Sequence, residues 1–278
     1  MDMMSATPQG LRVSALPRFL ACPSSEMPCT HPYNAPSDAA DIGTAVHECA
    51  ALMVQGRPYD AAASARKWGV DADEAGVLCA CAEQAWGELR PHFAAPTVEV
   101  ELRCPPLKGH ADVLHSDGKT LCVLDWKSGR VRSDYNAQLM GYAACAVTEY
   151  GMPSSGICTV ATVWLRAGEI DIRNYTPSDL NAFLARVDDA RAWVGKQWAP
   201  GDACTFCPRK WVCEARTEYV RSALACLSKD PAPADDIQPV DLADIWQRTR
   251  LLKRSIDAYE RAVRTMLVDG PIDMADGG

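Results

Sequence analysis

Apolar and polar positions alternate most regularly between residues 97 and 127. Val98, Val100, Leu102 and Cys104 interleave with Glu99, Glu101 and Arg103, which predicts a half-buried strand. Two more apolar-rich runs follow, Val113–Ser116 and Leu121–Leu124, and the Asp117-Gly118 pair between them predicts a tight hairpin. With those two as the loop residues, Asp112 stands opposite Val123 and His110 opposite Asp125. Side chains alternate with period two, so His110, Asp112, Asp125 and Lys127 share one face of the ribbon. Asp112 and Asp125 become diagonal neighbours, with roughly 7 Å or less between their β-carbons.

Elsewhere the pattern turns helical. Leu11–Ala21 predicts a short helix ending at Cys22-Pro23. Ser37 is positioned to cap a helix over 38–55, with Ile42, Val46, Cys49 and Met53 inward and His47 beside that face. Gly43 lies one turn before His47, where a missing side chain allows close approach of another group. A second helix is expected over 71–90, with Leu78, Cys81, Ala85 and Leu89 inward, and a third over 134–149, with Gln138 and Tyr142 one turn apart. Strands over 157–165 and 169–175 meet at Arg166-Ala167-Gly168. Thr176-Pro177-Ser178-Asp179 is a helix start, and that helix is expected to reach about Gln197. Residues 214–227 read as helix. Pro231, Pro233 and Pro239 mark 228–240 as a linker, and a last helix over 241–268 carries an apolar stripe that needs the main domain or another protein to pack on. The division expected is therefore a main domain over 1–227, the linker, and a helical extension over 241–278.

At 278 residues, 48% apolar and 23% charged, the chain has the composition of a soluble globular protein. It has no apolar run long enough to span a membrane and no basic-then-apolar leader, so the expected location is the cytoplasm. A net charge of −8 argues against a protein that coats nucleic acid with its whole surface but permits a local basic groove. There is no phosphate-cradling GxxxxGK loop, so no ATP-driven motor is encoded.

Thirteen cysteines in a reducing compartment are expected as thiols and metal ligands rather than disulfides. Cys79, Cys81, Cys122, Cys145 and Cys158 fall in apolar segments and read as small core residues. Cys204, Cys207 and Cys213 follow a C-x2-C-x5-C spacing, too dense for core filling. A tetrahedral zinc site or an iron–sulfur cluster needs a fourth ligand from afar, with Cys22 the first candidate and Cys29 the second. On the hairpin, two close carboxylates repel unless a cation lies between them, and a neighbouring lysine suits a hard-metal site. The plain alternative is a pair of solvated acids at strand ends. Either Glu99 or Glu101 is able to join the metal face, and the sequence does not choose between them.

Gly43-Thr44-x-x-His47, Gly109-x-x-Asp112, Asp125-Trp126-Lys127 and Gln138-x-x-x-Tyr142, in that order, resemble the motifs of RecB-like nucleases of the PD-(D/E)XK superfamily. Cys22 upstream with Cys204, Cys207 and Cys213 downstream resembles the iron–sulfur subgroup. That subgroup includes the CRISPR-associated RecB-like exonuclease and the nuclease domain of the bacterial AddB subunit, and a phage-type member fits best. The third motif carries Asp125 where many members have glutamate, and the family's proline is not evident.

The resemblance implies a restriction-endonuclease-like α/β core, with a central mixed sheet flanked by helices, and a [4Fe-4S] clamp on Cys22, Cys204, Cys207 and Cys213. It implies Mg²⁺ or Mn²⁺ on His47, Asp112, Asp125 and the Trp126 carbonyl, with Lys127 positioning water or offsetting charge. Gln138 and Tyr142 would then orient substrate or brace the lysine. His110 shares the metal face in the expected register, although a second histidine ligand is not the family's pattern. The expected activity is DNA exonuclease action on single-stranded ends, with possible protein contacts through 241–268. The alternatives are a catalytically silent DNA-binding or assembly subunit, or a zinc-containing adaptor.

Overall fold

The computed structural model describes residues 10–29, 38–129, 135–227, 246–254, 256, 257 and 260. The expected linker, the Ser37 cap and most of the last helix lie outside these residues. The chain divides into two compact units, one formed by 1–28 and 34–194, the other by 29–33 and 195–278.

In the first unit, strand β1 (Leu11–Arg12) leads through a 3₁₀ turn into helix α1 (Leu16–Ala21). Helices α2 (Asp38–Val54), α3 (Ala61–Trp68) and α4 (Ala72–Leu89) follow. Next come strands β2 (Thr97–Cys104), β3 (Leu107–Ser116) and β4 (Leu121–Lys127). Helix α5 (Asn136–Tyr150), strands β5 (Cys158–Trp164) and β6 (Glu169–Tyr175), and helix α6 (Pro177–Arg191) complete it. The sheet runs β1-β3-β4-β5-β6, with β2 also paired to β3. It is mixed: β1–β3 and β4–β5 are parallel, the remaining pairs antiparallel. Helix α5 is the crossover that a parallel β4–β5 pair requires.

The sheet separates two apolar layers. On one side α1, α5 and α6 bring Leu16, Phe19, Leu139, Ala143, Cys145 and Phe183 against Leu114 and Val123. On the other, α2 and α4 bring Ile42, Val46, Cys49, Leu78 and Trp86 against Val113, Leu124 and Trp126. Alternate residues of β4 thus feed opposite layers, as a strand buried on both faces must. Helix α5 is able to lie close to its neighbours because its packing residues are small. A β-carbon at Gly141 would fall 2.5 Å from Leu16 Cδ1.

Four local expectations change, the first being that α6 ends at Arg191 rather than near Gln197. Leu11 and Arg12 form a strand, in register with Leu107 and Lys108, rather than the first turn of a helix. Helix α3 was not evident in the apolar pattern because its face is built from alanines. It is fixed instead by its ends: the Asp60 carboxylate accepts from the Ala63 N–H, and Gly69 closes it with φ 67°. The β3–β4 loop is longer than two residues. Asp117 Oδ1 accepts from the Lys119 and Thr120 N–H groups and from the Thr120 hydroxyl, at 2.9, 2.7 and 3.0 Å. These bonds hold its carboxyl down at about 2 and build a four-residue turn.

In the second unit, a 3₁₀ turn at Asp202–Phe206 precedes helix α7 (Glu214–Leu227). Residues 246–254 are helical and pack within this unit, with Leu251 buried. Arg248 donates to the Ser222 hydroxyl, and Arg254 reaches Asp202 and the Thr205 hydroxyl, each at 3.0 Å.

Candidate metal centre

The longer turn shifts the β3–β4 register by two residues from the expected one. Val113 pairs with Leu124 and Leu114 with Val123, so one further step along the ladder sets Asp112 directly across from Asp125. A slip of two leaves every side chain on its original face, which is why the shared face of the two aspartates survives the correction.

Glu99 decides how that face is reached. It is the one described non-glycine residue with positive φ, at 53°, a conformation that carries strain. Across it the sheet rotates. Val98 packs with the α2–α4 layer and Val100 with the α1–α5 layer, although strand periodicity would put both on one side. Val113 and Ala111, flanking Asp112 on β3, divide in the same way. Glu99 and Asp112 therefore stand at a sharp twist between the layers, where side chains from either sheet face can converge. Glu101, of the same parity as Glu99, instead pairs with Arg103 at 2.7 Å.

Helix α2 brings His47 to this point. Its Nδ1 lies 3.1 Å from Asp112 Oδ1 and its Nε2 3.1 Å from the Trp126 carbonyl oxygen. Asp112 Oδ2 accepts the Trp126 N–H at 2.6 Å. Potential ligand atoms of His47, Glu99 and Asp112 all lie within 4.8 Å of one another. Gly43 lets the helix approach so closely, since a β-carbon there would sit 3.0 Å from Ser128 Oγ. Ser128 is held in turn by Arg166, whose Nε donates to its carbonyl at 2.6 Å and whose guanidinium pairs with Glu74 of α4.

Asp125 faces the α5 side. Its Oδ2 is buried in an ion pair with Lys127 Nζ at 2.7 Å. Lys127 donates to Gln138 Oε1 at 3.3 Å, Gln138 Nε2 donates to the Tyr142 hydroxyl at 3.1 Å, and the ammonium lies 4.6 Å from the Tyr135 ring centroid. Tyr135 carried no motif spacing, and only its position just before α5 brings it there. His110 is exposed, its Nε2 3.7 Å from Glu99, and lies outside the group that converges with His47.

The electrostatics are those of a cation site. Burial opposes charging His47, but the Asp112 carboxylate, its hydrogen bond, and the Asp125 and Glu99 charges outweigh it and lift the imidazole to about 8. Burial and Asp112 raise the Glu99 carboxyl, while burial and the Asp112 charge raise Asp125 against the pull of Lys127. Burial also opposes the Lys127 charge, but Asp125 more than compensates and keeps the ammonium protonated. Tyr142 is pushed well up by burial and by both aspartates, so it remains a phenol. Two carboxylates, an imidazole and the Trp126 carbonyl oxygen lie together, a donor set suited to Mg²⁺ or Mn²⁺, while Asp125, expected as a ligand, pairs with Lys127 outside the group that converges within 4.8 Å. The raised Glu99 and Asp125 carboxyls reflect burial and the closeness of like charges.

A metal ion on His47 would have to displace its proton. The raised pKa makes the imidazolium stabilising below about 6.5, and this contribution disappears as pH rises through about 8. Mn²⁺ affinity, measured by calorimetry, should climb by up to about tenfold per pH unit from 6 to 8 and then level off. An affinity flat across that window would contradict His47 as a ligand.

In the second unit, Cys204 and Cys207 are buried within a polar loop and Cys213 is partly buried. Cys204 Sγ accepts the Gly201 N–H at 3.4 Å. Cys29 belongs to this unit and Cys22 to the first.

A family model described as the PD-(D/E)XK nuclease superfamily matches residues 13–214. A solved structure described as "Crystal structure of SSO0001" aligns over 75% of this chain and 87% of its own, at 15% identity and a TM-score of 0.33. No curated protein matches significantly.

Proposed function

The chain belongs to the PD-(D/E)XK nuclease superfamily, and from that premise we propose that it is a metal-dependent DNA exonuclease acting on single-stranded ends. One observation carries the catalytic part of this reading. His47, Glu99 and Asp112 converge within 4.8 Å beside the buried Asp125–Lys127 pair. A non-catalytic binding module has no use for so costly an arrangement of buried charge.

Mg²⁺ or Mn²⁺ would be held by His47, Glu99, Asp112 and the Trp126 carbonyl, with Asp125 a further ligand on the strength of the family resemblance. When bound, the metal supplies Lewis-acid polarisation of the phosphate and a more acidic water. The remaining work falls to the chain's own side chains. Lys127, kept charged by Asp125, offsets negative charge at the reacting phosphate rather than acting as a base. Gln138 and Tyr142 hold the lysine's direction from α5, and Tyr135 covers it. Preference for single-stranded ends rests on the RecB-like order of motifs.

The same resemblance supports a [4Fe-4S] cluster on Cys204, Cys207 and Cys213, with Cys22 the fourth ligand and Cys29 the alternative. The N–H···S bond from Gly201 suits a thiolate. Its role is structural, closing a long loop of chain. Anaerobically purified protein should be brown and carry about four irons per chain, whereas a colourless preparation with zinc alone would rule the cluster out. The activity is tested with end-labelled linear and circular single strands in Mn²⁺. Degradation of the linear strand with the circle left intact is expected. Cutting of the circle would establish an endonuclease, and no cutting of either would favour the silent binding subunit.

A further inference from the structure

A concave cleft of about 500 Å³ opens beside the metal centre, with Arg12, Ser14, Lys108, Gly109, His110 and Tyr142 in its wall. We propose that this cleft binds backbone phosphates of the nucleic-acid strand being cut, with Arg12 and Lys108 as the charge contacts and Ser14 and His110 as hydrogen-bond donors. The inference rests on the nuclease reading and adds to it the path of the strand.

Three features of the cleft support it. First, Arg12 and Lys108 are register partners on the parallel strands β1 and β3, so two cations stand side by side. Both are exposed, and among the described residues neither is paired with a carboxylate. Like charges directly opposite one another on neighbouring strands cost stability. An anion between them removes that cost, and a phosphodiester chain supplies anions at regular intervals. The carboxylate in the cleft wall, Glu101, is already engaged by Arg103 at 2.7 Å and does not neutralise the pair.

Second, the cleft borders the reacting centre. Tyr142 forms part of its wall and accepts the hydrogen bond from Gln138, which itself accepts one from Lys127. His110 in the wall lies 3.7 Å from Glu99 of the metal group. A strand whose scissile phosphate meets the metal ligands is thereby led past Tyr142 toward Arg12 and Lys108.

Third, glycines shape the cleft. A β-carbon at Gly109 would come within 3.1 Å of Tyr142 Cε1 and 3.0 Å of Val13 Cγ2. At Gly10, with φ 83°, it would come within 2.9 Å of Lys108 Cδ. The lysine stem therefore lies along the β1 backbone, which directs its ammonium instead of leaving it free in solvent. This also reconciles the overall charge of −8 with a polyanionic substrate, because the favourable field is local.

The test is binding of a fluorescein-labelled single-stranded oligonucleotide to the full chain, with Ca²⁺ in place of Mg²⁺, across a salt series. The double variant Arg12→Gln/Lys108→Gln should bind roughly tenfold more weakly near 0.1 M salt. Its log affinity against log salt should be shallower by about 1.4, or ~0.7 for each lost phosphate contact. The charge-preserving pair Arg12→Lys/Lys108→Arg should keep the parent's salt slope, which separates lost charge from lost fold. A glutamine variant that keeps the parent's affinity and slope would overturn the proposal, as would a parent chain that does not bind the strand. A parent chain that binds through these two cations yet leaves DNA uncut in Mn²⁺ would uphold the cleft and sink the nuclease reading instead.

Discussion

Asp112→Asn is expected to reduce cleavage by at least about 10³-fold, roughly 4 kcal/mol of transition-state stabilisation. Asp112 is the residue on which the centre's parts meet. One of its oxygens faces His47 and the other accepts the Trp126 N–H that anchors it to β4. Asparagine can still accept from Trp126 through its remaining carbonyl oxygen, so the twist at β3 should persist and the melting temperature should stay near the parent's. What is lost is charge. Without the carboxylate, His47 loses its main partner and its pKa falls toward an ordinary histidine value, while Glu99 is relieved of a repelling neighbour. Calorimetry should show Mn²⁺ affinity falling together with activity. Cleavage at the parent rate, or unchanged Mn²⁺ affinity, would remove Asp112 from the site.

Lys127→Met should reduce cleavage to a comparable degree while leaving Mn²⁺ affinity equal or higher. The ammonium contributes charge at the reacting phosphate but no metal ligand, and its removal takes a competing cation away from Asp125. The substitution also separates a buried ion pair, at a cost of about 3 kcal/mol to the metal-free protein. Part of that cost is avoided when Asp125 takes up a proton, which its raised pKa already favours. Because the folded pKa of Asp125 lies above the ordinary carboxylate value, its charged form is destabilising above that pKa. The variant should therefore be most stable at low pH, and Mn²⁺ should restore stability at neutral pH. Thermal melts with and without Mn²⁺ would test this, alongside cleavage of end-labelled strands. Coincident loss of metal affinity and activity would mean that Lys127 acts by shaping the metal site, not on the phosphate.

The two substitutions together separate roles that static geometry leaves overlapping. Asp112 should govern metal and chemistry, Lys127 chemistry alone. The pH dependence of Mn²⁺ binding adds His47 to the first group, and the salt dependence of strand binding assigns Arg12 and Lys108 to neither.

Local pattern determined much of this molecule. Period-two alternation set which face of the hairpin carries Asp112, Asp125 and Lys127, and that face withstands a register change because a slip of two preserves parity. Helical spacing placed Gln138 and Tyr142 one above the other, and they hydrogen-bond as that spacing requires. Both signals are legible in sequence because they depend on residues only a few positions apart.

Other features depended on groups distant in the chain or on backbone conformation that composition does not encode. The Asp117 side chain, by accepting three hydrogen bonds, lengthened the turn and brought the aspartates directly opposite each other. A left-handed φ at Glu99 selected that residue over Glu101, although the two have identical spacing and chemistry. Strand β1 is two residues long and exists only through its partner nearly a hundred positions later, so no periodicity announces it. Sequence alone thus named most of the residues proposed to carry the chemistry. Tertiary structure decided which of them meet and, through the pairing of Arg12 with Lys108, where a strand would enter.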